Sequence, residues 1–69
     1  MESPQQHWRS LLTKREQEIM LLVAGRLGNQ AIARKLRLGE GTVRFQVHNI
    51  LRKLSVKNRA DLAELLSRD

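Results

Sequence analysis

Apolar residues return every three or four positions along most of this chain, which is the period of an α-helix. The clearest run is Val43, Val47, Ile50 and Leu54, at steps of four, three and four. With that stripe turned inward, Gly41, Phe45, His48 and Arg52 make the opposite face, with Arg44 and Asn49 on its two borders. Just upstream, Ile32, Ala33 and Leu36 mark one face of a shorter helix, with Asn29 as its expected N-cap. Gln30, Arg34 and Arg37 fall on its other face, and after a glycine-bearing turn the longer helix opens at Gly39-Glu40-Gly41-Thr42. Ala33 is small where two such helices would cross closely. Earlier, Thr13-Lys14-Arg15-Glu16 fits a capping box, and Ile19, Leu22 and Val23 follow it directly. Gly25 and Gly28 offer permissive backbone for that helix's end and the next turn. After the connector at 55–57, Asn58 is an expected cap for a last helix carrying Leu62, Leu65 and Leu66.

The expected fold is therefore all-α: a four-helix domain over 11–67 with a central helix-turn-helix at about 29–48. Its first helix starts at Thr13, the second covers about 30–37 and the third about 41–54. Residues 1–10 show no apolar periodicity and hold the only proline, so they are expected to be a flexible arm or linker end. Trp8 in that arm is read as covering some apolar surface. The alternative is contact with an upstream portion, since so short a chain suits an effector domain excised from a longer protein.

Charge sharpens this picture. The chain has 13 Lys and Arg against 7 Asp and Glu, a net charge of +6. Acids and bases balance within 1–25 and again within 54–69, so the whole surplus lies in 26–53, where seven bases face only Glu40. A basic excess confined to a two-helix unit is the footprint of a polyanionic partner. The plainer reading is a helix pair that happens to be rich in lysine and arginine.

Composition mainly excludes. With no cysteine there is no disulfide or thiolate metal site, and His7 and His48 alone do not suggest zinc. No cofactor is expected. The longest apolar run, Ile19 to Ala24, is far too short to span a membrane, no signal-peptide layout is visible, and a reducing cytoplasm is the natural compartment. Catalysis is not expected: the chain has no tyrosine, and no nucleophile–base–acid grouping is suggested.

The residues Leu12-Thr13-Lys14-Arg15-Glu16, Asn29, Ile32-Ala33, Leu36, Thr42-Val43-Arg44, Val47, Asn49-Ile50-Leu51-Arg52-Lys53-Leu54, Val56 and Asn58-Arg59 resemble the LuxR-type (FixJ/NarL-type) helix-turn-helix of bacterial transcription regulators. The likeness runs over about 11–66. Three positions depart from the family's habit: Gly39 stands where a capping Ser is usual, Gln46 where His is usual, and Arg26 where a helix-ending Gly is common. The resemblance implies double-stranded DNA as partner, with Asn29, Gln30 and Arg34 positioning the domain on the backbone. It also implies a homodimer on DNA through the last helix, at Leu62, Ala63 and Leu66. RNA polymerase is a further possible partner of such a regulator.

Within the third helix, Arg44 is placed to reach a phosphate or to grip guanine O6 and N7. Phe45 suits thymine methyls, His48 a base edge or phosphate, and Arg52 and Lys53 phosphates. Thr42 and Asn49 complete that surface, and Lys57 and Arg59 are within reach of the backbone at the start of the last helix. Each has a plainer counterpart: a coincidental surface aromatic at Phe45, solvated charge at His48, Arg52 and Lys53, and a simple cap at Asn29. The leading function is sequence-specific duplex binding with the third helix in the major groove. The alternatives are a sigma-factor-like promoter-recognition region, or a helical protein-interaction module with a basic face. Single-stranded RNA is disfavoured because stacking platforms need aromatics, and only Trp8 and Phe45 are present.

Overall fold

A computed structural model describes residues 9–67, which form four helices and, among these residues, no strand. They are α1 (Lys14–Ala24), α2 (Asn29–Leu36), α3 (Glu40–Lys53) and α4 (Arg59–Ser67). Trp8 and most of the expected arm lie outside the described residues. Residues 9–11 form a short 3₁₀ turn, and the Gln17 side-chain amide ties it to α1 by donating to the Arg9 carbonyl at 2.8 Å.

The start of α1 follows the sequence expectation. Thr13 Oγ1 accepts from the Glu16 N–H at 3.1 Å, and Glu16 Oε1 accepts from the Thr13 N–H at 2.8 Å. This box satisfies two amides that the first turn would otherwise leave unpaired. Likewise Asn58 Oδ1 accepts from the Asp61 N–H at 2.9 Å and caps α4.

Helix ends depart from expectation in an informative way. Gly25 and Gly28 both keep negative φ, and the left-handed positions fall instead on Arg26, Arg37 and Ser55, with φ of 65°, 58° and 55°. Each begins the same reverse turn. Arg26 N–H reaches the Val23 carbonyl and Leu27 N–H the Leu22 carbonyl, at 2.9 and 3.2 Å. Arg37 with Leu38 and Ser55 with Val56 repeat that pair of bonds behind α2 and α3. These are Schellman motifs, in which the residue after the left-handed one is apolar and turns back to the core. Leu27, Leu38 and Val56 are indeed packed against it. That burial offsets the roughly 1–2 kcal/mol that a side chain costs in left-handed backbone.

Asn29 was expected to cap α2; the N-cap is Gly28 instead, with Asn29 as the first helical residue and no side-chain cap bond. Gly39 precedes α3 in the same way, again without a side-chain cap. A Cβ on Gly39 would meet only Thr42 Oγ1 at 3.7 Å, so residue choice and not crowding leaves this end uncapped.

One core joins all four helices. Leu12, Ile19, Met20 and Val23 meet Ile32 and Ala33 of α2, Val43, Val47 and Ile50 of α3, and Leu62 of α4. Here α1 packs on α3 and α4 while α2 lies against α3. The expected α3 stripe is buried through Ile50, with Leu54 half-buried at its end. In α1 the inward set is Glu16, Ile19, Met20 and Val23, so Met20 belongs to the core and the expected Leu22 is only half-buried. A carboxylate inside that stripe disguised its register.

Candidate nucleic-acid interface

The inward stripe of α3 fixes what the helix shows outward. Phe45 is 65% exposed, and Gly41, Thr42, Arg44, His48 and Arg52 are exposed with it, while Asn49 is half-buried at the border. About 100° of rotation per residue brings 41, 45, 48 and 52 onto one line. An exposed aromatic is therefore flanked by cations and a histidine along the outer face of α3. Gln30 and Arg34 are exposed one turn apart on α2, and Asn29 is half-buried at its start.

Electrostatics favour an anion here. Arg26, Arg34, Lys35, Arg37, Arg44 and Arg52 have no carboxylate partner among the described residues. Glu40 lies in the first turn of α3, where it complements the positive helix end, but the first turn of α2 holds no acid. With Gly28 supplying no side chain, the leading amides of α2 remain free for an incoming oxygen.

Two expected contact residues are engaged within the domain. Lys53 Nζ donates to Glu16 Oε1 at 2.8 Å, the same oxygen that closes the capping box. Arg59 donates to the Asn29 side-chain oxygen and to the Leu27 carbonyl, each at 2.6 Å. Lys57 is exposed in the connector. Of the residues expected on a dimer face, Leu62 must be withdrawn: it is 0% exposed and belongs to the core. Ala63 and Leu66 are half-buried on α4.

Glu16 links the first and third helices. Burial alone would raise its carboxyl, but the Lys53 hydrogen bond, the Thr13 bonds and the Lys53 charge outweigh burial and hold it below its ordinary value of 4.5. A depressed folded value means that Glu16 adds stability above the ordinary carboxylate range and loses it as pH falls through the folded value. Because Lys53 is 42% exposed, solvent screens part of the pair. At neutral pH, Glu16→Gln should cost about 1–3 kcal/mol, the worth of charge-assisted bonds. In urea unfolding that gap should close as pH drops below 4.5; parallel pH profiles for the two proteins would refute it.

No helix of the described residues is long and apolar enough to cross a membrane, and no group of three or more His, Asp or Glu among them could hold a metal ion.

Residues 10–66 match the family model described as "Bacterial regulatory proteins, luxR family". The Escherichia coli nitrate/nitrite response regulator protein NarL is 42% identical over 52 residues, which is 75% of this chain and 24% of that protein. The Bacillus subtilis transcriptional regulatory protein DesR is 46% identical over 50 residues, covering 72% of this chain and 25% of that protein. Transcriptional regulatory protein LnrK, also from Bacillus subtilis, is 44% identical over 52 residues, 75% and 24% of the two chains. The chain thus spans about a quarter of the length of these relatives. No solved structure matches it.

Proposed function

We propose, from the premise that this chain belongs to the luxR family of bacterial regulatory proteins, that it is the effector domain of a transcription regulator and binds double-stranded DNA sequence-specifically. The observation that carries this is the outward row of α3. There Arg44, Phe45, His48 and Arg52 stand exposed on a helix whose opposite side is the domain core. A helix about 10–12 Å across fits the major groove, which is about 12 Å wide. Arg44 reads a base edge, Phe45 covers a thymine methyl, and His48 and Thr42 add polar contacts with Asn49 at the border. Arg52, Lys57 and the amide end of α2 with Asn29, Gln30 and Arg34 hold phosphates and set the register. Two copies meeting along α4 at Ala63 and Leu66 would read neighbouring half-sites, and a contact of the full-length regulator with RNA polymerase belongs to the same proposal. Such a protein works beside the chromosome, in the cytoplasm.

Selecting ligands from random duplexes tests the proposal directly. A symmetric pair of half-sites should emerge, and it should be bound without polymerase present, unlike a sigma-type promoter region. Against the selected duplex, Arg44→Ala should lose about 1–3 kcal/mol. Binding to random duplex should change much less. Equal losses on both would reduce Arg44 to a backbone contact, and selection returning no common sequence would defeat the specific reading.

A further inference from the structure

We infer that Arg59 is a positioning residue for the duplex-facing amide of Asn29, and not itself a phosphate contact. The inference rests on the DNA-binding proposal and deepens it. Arg59 opens α4, yet its guanidinium lies against the start of α2, donating to Asn29 Oδ1 and to the Leu27 carbonyl at 2.6 Å each.

Guanidinium groups donate and never accept, so an asparagine beside one must present its oxygen. The orientation of the Asn29 amide, ordinarily ambiguous, is therefore dictated by its neighbour. Its Nδ2 is turned away and has no partner among the described residues. That donor lies at the helix end where Gly28 leaves the first-turn amides uncapped and no acid is present. An anion there meets backbone N–H groups and a side-chain N–H₂ together.

The placement of the charge points the same way. Arg59 has no carboxylate partner among the described residues, and it stands at the positive end of α2. Like-signed placement costs stability in the free domain, and a phosphate bound at that end relieves it. A strap serving only to join α4 to the α1–α2 turn would be satisfied by the Leu27 carbonyl alone. Adding the Asn29 amide gives that strap control over what α2 presents outward.

The test measures affinity of the 69-residue chain for its selected duplex over a range of salt. Arg59→Lys keeps the charge but loses the planar fork needed to bridge both acceptors. Affinity should fall about tenfold, the worth of one hydrogen bond to a charged group, with an unchanged salt slope, because a neutral amide releases no counterion. Asn29→Ala leaves Arg59 in place and should lose a similar amount, again at unchanged slope. The double variant should bind no worse than roughly the weaker single variant, since both changes remove one contact. Were Arg59 itself on a phosphate, lysine would replace it as a point charge and affinity would hold. Unaltered binding by Arg59→Lys, near-normal binding by Asn29→Ala, or losses that multiply in the double variant would each overturn the inference. A wild-type chain that binds no duplex overturns the parent proposal, and this one with it.

Discussion

Ile50→Ala is expected to destabilise the domain by about 2–5 kcal/mol, the range for emptying a fully buried isoleucine site. Ile50 is 0% exposed and lies in the cluster to which all four helices contribute. A chain of this size has roughly 3–10 kcal/mol in total, so a loss near the upper figure removes at least about half of it and unfolds a domain at the lower end of that range. Five positions earlier on the same helix, Phe45→Ala should change stability by no more than about 0.5 kcal/mol, because the residue is 65% exposed. The two variants separate folding from binding: the first should lose both, and the second should keep its unfolding midpoint while binding the selected duplex more weakly. Chemical denaturation with parallel duplex titrations measures this. A stable Ile50→Ala protein would contradict the packing, and full duplex affinity in Phe45→Ala would remove the aromatic from the interface.

The second large effect is ionic. If each copy neutralises roughly four phosphates, a dimer on its site should show a log–log salt slope of about −7. Between 50 and 200 mM salt, affinity would then fall by about four orders of magnitude. The basis is the surplus of +6, which lies wholly in 26–53, with six of those seven bases unpaired with carboxylates among the described residues. Lys53 is the seventh, and its bond to Glu16 predicts that Lys53→Met changes the slope little. A slope near zero would mean the basic face serves an acidic protein or nothing at all.

Much of this domain could be read from short-range rules. The Thr13–Glu16 box and the α3 stripe from Val43 to Ile50 occur where their spacing places them, since each depends on residues three or four apart along one helix. Outward display of Phe45 and Arg52 follows from that stripe by subtraction. The helix ends were less legible. Gly25 and Gly28 were expected to supply the permissive backbone there, yet the left-handed position falls on Arg26, where the family commonly has a helix-ending Gly. The deciding signal is the apolar residue that follows each such position (Leu27, Leu38 and Val56), which must return to the core whatever precedes it. Met20 was missed because its stripe includes Glu16, a charged residue that hydropathy assigns to the surface.

The linear order of residues thus determines the helices, the caps of α1 and α4, the inward stripe of α3 and the location of excess charge, because periodicity and capping act within one or two turns. Folding alone decides which polar groups are used up internally. Lys53 finds Glu16 across 37 positions, and Arg59 finds Asn29 and Leu27 across 30 and 32. Equally, burial of Leu62 depends on where α4 lies against α1, which its leucine spacing cannot specify. Contacts of that range arise only once helices have docked, so sequence spacing contains no local trace of them. Of the cations that spacing marks alike, docking engages Lys53 and Arg59 within the domain and leaves Arg34, Arg44 and Arg52 facing outward.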